Sequence, residues 1–188
     1  QKQFRTNFLH SQDFGSFHPG ASYFFTLVTE QRRPWLAETD NVALLRGGFR
    51  AVRAKRPFQV VAMVVMPDHL HCIWTLPPGD ADFATRWRLI KTWFTKRCHS
   101  QLRPAPGLAR VAKKQQAVWQ HRYWEHLLRD ENDFIRHVEY IHFNPVKHGV
   151  VATAIAWPYS SLHRYVEAGL YPADWGQEKM DSTGIGAE

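Results

Sequence analysis

The run VVAMVVMPDHLHCIWTLP, residues 60–77, decides the fold. It is apolar enough for the interior of a sheet, yet it places His69 and His71 two residues apart. Side chains alternate across a strand, so His69, His71, Ile73 and Thr75 share one face while Leu70, Cys72, Trp74 and Leu76 share the other. Pro67-Asp68 interrupts the run, because proline cannot donate to a ladder and Asp forms turns. The stretch therefore predicts an antiparallel hairpin with strands near 58–66 and 69–76 and both imidazoles on one face. Such a pair can share a divalent metal through one ring nitrogen each, the other nitrogen being oriented by a neighbour. Two separately hydrogen-bonded histidines in a sheet are the alternative.

Outward from the hairpin, SYFFTLVT at 22–29 reads as a strand rich in aromatic and β-branched residues, ended by Gln31-Arg32-Arg33-Pro34. Residues 40–54 read as a helix with Asp40 as N-cap, against which Gly47-Gly48 weighs. A second helix is expected from Asp82 to Cys98, a break at RPAPG (103–107), a short strand within 117–128 and a third helix over 131–143. The tail from 152 to 188 reads as short Pro- and Gly-rich segments draped over the domain. This order predicts an α+β fold, an antiparallel sheet with helices packed on one face.

A chain of 188 residues is one domain's worth, or one domain with an appendage. No apolar run approaches the ~20 residues that span a bilayer, and the first residues lack the apolar core of a signal peptide. Only Cys72 and Cys98 are present, which argues against a disulfide framework and for a reducing cytoplasm. The net charge of +7 points to a polyanionic partner, and the lack of a spanning run predicts no membrane partner. Its distribution says more: eleven Lys or Arg lie between Phe83 and Arg129 against one acidic residue, Glu125. Interleaved Trp87, Trp93, Phe94, Trp119, Tyr123 and Trp124 give the mixture that single-stranded nucleic acid favours, cations for phosphates and flat rings for unpaired bases. Trp87, Ile90 and Phe94 form a helical stripe that belongs to the core, leaving Arg86, Lys96 and Arg97 more outward. Those three, with Lys113, Lys114 and Arg122, are the candidate contacts to nucleic-acid phosphates.

On the helix at 131–143, about 100° per residue brings Phe134, Val138 and Ile141 to one core-facing stripe. Tyr140 falls about 120° away, beside Asp133 and His137, where its hydroxyl can be presented. Asn144 is one turn further on, but Pro145 cannot take the bond to the Ile141 carbonyl, so Asn144 is expected at the helix end or a kink.

His-Leu-His on a strand, a basic helix and the segment YIHFNPVKHG (140–149) together resemble the HUH single-strand DNA transposases with one catalytic tyrosine, the Y1 class. The chain is most similar to their bacterial relatives, the REP-associated tyrosine transposases, through PGASYFFTLVT (19–29), RPFQVVAMVVMPDHLHCIWTLP (56–77) and WPYSSLHRY (157–165). The resemblance covers most of residues 17–167 and implies a ferredoxin-like, RRM-like sheet. It further implies a catalytic domain over 1–151 with a C-terminal extension, 152–188, packed on it. By the same resemblance His69, His71 and Asn144 hold a divalent ion, Mg²⁺ or Mn²⁺, and Tyr140 is the nucleophile. Relatives carry Gln at the third ligand position, so Asn144 is a shorter reach.

The implied reaction is cleavage and rejoining of hairpin, REP-type single-stranded DNA through a 5′-phosphotyrosine, by a cytoplasmic, nucleoid-associated bacterial protein acting as a monomer. Insertion-sequence relatives instead exchange tyrosine helices in a dimer. His137 or His142 could assist as base. A zinc site using Cys72 is disfavoured because Cys72 points to the opposite strand face. The competing class is a noncatalytic nucleic-acid-binding module of the same fold, against which the retention of His69, His71 and Tyr140 argues.

Overall fold

The computed structural model describes residues 20–102 and 118–176. Strand β1 (Ser22–Val28), helix α1 (Thr39–Arg53), strands β2 (Gln59–Val65) and β3 (His69–Thr75), helix α2 (Phe83–Arg97) and strand β4 (Trp124–Leu127) follow one another in βαββαβ order. They form a four-stranded sheet, β2-β3-β1-β4, antiparallel throughout. Helix α3 (Glu131–Lys147) and the short helix α4 (Leu162–Glu167) follow. The hairpin closes where proline dictated, with Met66 N–H donating to the His69 carbonyl at 2.8 Å. The exposed turn carbonyls are used as well: Pro67 accepts from Leu36 N–H at 2.7 Å and Asp68 from Thr29 N–H at 2.8 Å.

The alternation read from β3 sorts the core into two layers. Leu70, Cys72 and Trp74 join Phe25 and Leu27 of β1 under α1 and α2, where Trp74 stacks on Trp87 at 4.1 Å between centroids. Gly47-Gly48 does not end α1, because a β-carbon on Gly48 would come within 3.1 Å of Trp93 Cδ1. The glycines admit α2 at the expense of helix propensity. Ile73 faces the other way with Phe24, Val61 and Val64, against Phe134, Ile135, Val138 and Ile141 of α3. The α+β antiparallel sheet is therefore as expected, and helices α1 and α2 do share one face; the opposite face is also covered, by α3.

Helix boundaries follow capping chemistry. Asp82 accepts from Thr85 N–H and Asp130 from Asp133 N–H, which starts α2 and α3. At α1 the N-cap is Glu38, so Asp40 sits in the first turn and is not the cap expected from sequence. Helix α3 also outruns its predicted end at 143 and carries Pro145 inside it. One missing bond costs less than uncovering the apolar stripe, and the stop comes at Gly149, where φ is +65°. There Val150 N–H donates to the Pro145 carbonyl and Gly149 N–H to the Val146 carbonyl, a Schellman closure.

The segment after α3 covers the open edge of β2. Val65 N–H donates to the Tyr159 carbonyl at 2.9 Å, Ser161 N–H to the Met63 carbonyl at 2.8 Å, and Trp157 Nε1 to the Val65 carbonyl at 2.9 Å. Such cover removes an edge available for aggregation. His142, reaching from α3, bonds Ser161 Oγ through Nε2 at 2.8 Å and packs edge-on to Tyr165 and Tyr171. Burial, helped by the nearby Arg164 charge, pushes its imidazole down to about 3. A folded-state value below the free value of 6.5 means full stability above pH 6.5 and progressive loss as pH falls toward 3. Between pH 6.5 and 5 that loss is about 2 kcal/mol. His142→Gln should shrink the drop in unfolding free energy between pH 7 and 5 by about that much in urea titrations.

Candidate active site

Register aims the histidines. Thr26 of β1 pairs with His71 and Val28 with His69, so the two imidazoles stand on the sheet face under α3. Both are buried, with ring centroids 4.8 Å apart. Each Nδ1 is held from behind. His69 Nδ1 lies 2.6 Å from Asp68 Oδ1 and His71 Nδ1 2.9 Å from Thr26 Oγ1. Burial alone would raise the Asp68 carboxyl, but the hydrogen bond and charge of His69, then those of Arg32, outweigh it and hold the group at about 2. An ionised Asp68 accepts from His69 Nδ1–H and so points Nε2 forward.

That nitrogen meets Asn144 Oδ1 at 3.3 Å. An amide oxygen is only an acceptor, so the two atoms repel unless a cation lies between them, whether a proton on Nε2 or a metal ion. Adjacent ligands on one octahedral ion at ~2.1 Å stand roughly 3 Å apart, so the separation suits a shared ion. The donor set of imidazole nitrogen and amide oxygen is one that Mg²⁺ or Mn²⁺ accepts. The continuation of α3 through Pro145 keeps Asn144 in helical register four residues after Tyr140.

Tyr140 is 2% exposed, in contrast to the polar flank expected for it. The sheet covers that flank of α3, and the Tyr140 side chain packs onto it. Its ring lies edge-on to His71 at 5.2 Å and to Phe24 at 6.0 Å. The hydroxyl accepts from Lys147 Nζ at 3.2 Å, and the ammonium also sits 4.8 Å from the ring centroid. Lys147, Thr26 and Asp68 were not singled out in the sequence. Lys147 is seven residues from Tyr140, a same-face spacing hidden by the assumption that Pro145 ends the helix. Thr26 could be found only through the β1–β3 register, whereas Asp68 adjoins His69.

The two candidate bases do not share one environment. His142 turns to the C-terminal segment as described. His137 donates from Nδ1 to the Asp133 carbonyl at 2.7 Å, and its ring lies 4.8 Å from Phe24.

Of the candidate DNA contacts, Arg86 is not on the surface. It is 2% exposed, its guanidinium held bidentately by Asp80 at 2.6 and 3.1 Å and by the carbonyls of Pro57 and Asp82 at 2.9 Å. The wheel was right about Trp87, but a long side chain beside it folds inward when a loop carboxylate waits there. Lys96, Arg97 and Arg122 are exposed, Arg97 stacking 3.5 Å over Trp93. Lys113 and Lys114 lie outside the described residues. Among the described residues no helix is long and apolar enough to cross a membrane.

The structure thus brings His69 and His71 of the sheet together with Tyr140 and Asn144, one turn apart on α3. The family described as "Transposase IS200 like" matches residues 18–144, and the chain belongs to it. It is 44% identical over 162 residues to the REP-associated tyrosine transposase of Escherichia coli (strain K12), covering 86% of this chain and 88% of that one. A relative from Haemophilus influenzae is 40% identical over 161 residues, 85% of this chain and 90% of its own. A solved REP-associated tyrosine transposase bound to a REP hairpin is 40% identical and superposes with a TM-score of 0.70 over 89% of this chain and 93% of that one. Within the family, the chain groups with these REP-associated tyrosine transposases.

The Asp68 carboxylate gives a test of the histidine's support. A folded value of about 2 against 3.8 means stability gained above pH 3.8 and lost as pH falls through 2. Asp68→Asn should lower unfolding free energy at pH 7 by about 1–2 kcal/mol and weaken the acid dependence between pH 4 and 2, read by denaturant melts across that range.

Proposed function

We propose that the protein is a metal-dependent single-strand DNA endonuclease and strand transferase that cleaves and rejoins REP-type hairpins through a 5′-phosphotyrosine on Tyr140. The observation that carries this reading is the convergence of sheet and helix: Asn144 reaches His69 at 3.3 Å while Tyr140 lies against His71 at 5.2 Å. His69, His71, Asn144 and the Tyr140 ring, from distant parts of the chain, are buried together between β3 and α3. Membership in the transposase family and the hairpin bound by the solved relative support it.

His69 and His71, through their forward nitrogens, and Asn144, through Oδ1, would hold Mg²⁺ or Mn²⁺. A divalent ion there supplies Lewis acidity and alignment to the scissile phosphate. Asp68 and Thr26 fix the two imidazoles so that no reorganisation is needed on binding. Tyr140 Oη attacks phosphorus, the P–O3′ bond breaks, and the DNA leaves with a 3′-hydroxyl while its 5′-phosphate stays on the protein. The phenol is a weak nucleophile at neutral pH, and the Lys147 ammonium at 3.2 Å puts positive charge beside the oxygen that must lose its proton. Because the linkage keeps the phosphodiester's energy, a free 3′-hydroxyl can reverse the step and join strands.

The tyrosine helix rests on its own chain's sheet, which supports action in cis by a monomer in the bacterial cytoplasm. The exposed Lys96, Arg97 and Arg122, with Lys113 and Lys114, would meet DNA phosphates. Residues 1–151 would form the catalytic domain and 152–188 its extension, whose described part seals the β2 edge.

With end-labelled single-stranded hairpin DNA and Mn²⁺, a denaturing gel should show a protein–DNA adduct on the 5′-phosphate side. The adduct should vanish with chelator and in Tyr140→Phe, a loss of at least about 10³-fold for removal of a covalent nucleophile. Cleavage that persists in Tyr140→Phe would remove Tyr140 from the role. Hairpin binding with no cleavage at all would favour a binding module.

A further inference from the structure

One cluster of metal-type donors lies outside the site just described. His126 comes from β4 and Asp133 and His137 from the first turns of α3; one donor atom of each lies within 4.8 Å of the others. Both imidazoles converge on one carboxylate, His126 Nε2 at 2.9 Å from Oδ2 and His137 Nδ1 at 3.1 Å from Oδ1; His137 Nδ1 also donates to the Asp133 main-chain carbonyl at 2.7 Å, a bond that an ion at that nitrogen would replace. Their rings face each other at 4.9 Å with 21° between planes. Asp133 and His137 share a face of α3 at i, i+4, the spacing by which one helix offers two ligands to an ion. His126 is carried there because Phe24 of β1 is its ladder partner, and that ring separates the two groups, 4.8 Å from His137 and 5.3 Å from His71.

We propose that His126, Asp133 and His137 form a second metal site, distinct from the His69–His71–Asn144 set and suited to a borderline transition ion of the Zn²⁺ class. Two imidazoles and a carboxylate are a three-ligand set that such ions take with a fourth position open, whereas Mg²⁺ prefers oxygen. The donors are in the right state. Burial keeps the His137 imidazole neutral, and although burial opposes it, the hydrogen bonds from His126 and the Arg129 N–H keep Asp133 ionised. Arg129 approaches the same carboxylate oxygen at 3.5 Å on a side chain 74% exposed, so it can swing into solvent as an ion enters. The ion takes the place of the imidazole N–H groups that now face the carboxylate, each ring then carrying its proton on its other nitrogen. Its consequence is mechanical: it ties the edge strand β4 to the N-terminal half of the helix that carries Tyr140.

The full chain with His69→Ala and His71→Ala isolates this site. Titrated with Zn²⁺ alone in a calorimeter, that protein should bind one equivalent. With Co²⁺ it should show visible absorption of low coordination number. Adding His126→Gln, at a half-exposed strand position, should weaken Zn²⁺ at least tenfold while circular dichroism stays unchanged, and Asp133→Asn should abolish uptake. No stoichiometric Zn²⁺ uptake by the His69→Ala/His71→Ala protein, or uptake of equal affinity after His126→Gln, would overturn the assignment.

Discussion

Helix α3 lies against the one sheet face that carries imidazoles, and the site exists because of that burial. An amphipathic helix would normally cover such a face with aliphatic side chains alone. Here the aliphatic part, Phe134, Val138 and Ile141, covers Phe24, Ile73 and Val64, and the same helix continues past it to lay Tyr140 and Asn144 over His71 and His69. Packing energy from the first half, roughly 1.5–3 kcal/mol for each large apolar side chain buried, holds the polar second half in place. The proline that would end the helix in isolation is carried by this packing, and Gly149 ends it one turn later.

Burying polar groups demands partners, and the chain supplies them from elements already required by the fold. Asp68 belongs to the turn that Pro67 creates, yet it is also the group that orients His69. Thr26 is a β-branched strand residue whose hydroxyl faces His71 because of the antiparallel register. Arg86 shows the same economy on the opposite side, where a guanidinium closes the α2 N-terminus by binding Asp80 and three backbone carbonyls. Satisfied in this way, the buried charges fix geometry and do not threaten it.

The hairpin, the facing of the histidines and the order of elements were legible because alternation with period two and the proline break are local properties of the chain. The roles of Tyr140 and Asn144 were implied only by the resemblance; the helical wheel placed Tyr140 on a polar flank, since it cannot know that Phe24 and His71 of the sheet meet that flank. The inward turn of Arg86 was hidden for a similar reason, its carboxylate partner lying in a loop whose path the sequence does not reveal. Asp40 competed with Glu38 for the α1 cap, and Asn41 decided the start by donating to the Trp35 carbonyl and the Glu38 carboxylate. What was missed for Tyr140 and Arg86 is a contact with a distant part of the fold, not a propensity.

The central claim is that one ion bridges β3 and α3 at His69, His71 and Asn144. Paramagnetic broadening by substoichiometric Mn²⁺ in protein labelled with ¹⁵N at histidine and asparagine side chains tests it directly. The imidazole signals of His69 and His71 and the side-chain amide of Asn144 should broaden first and together, and Asn144→Ala should weaken the effect on both histidines. Broadening that begins instead at His126 and His137, or that leaves Asn144 sharp while the histidines fade, would contradict it.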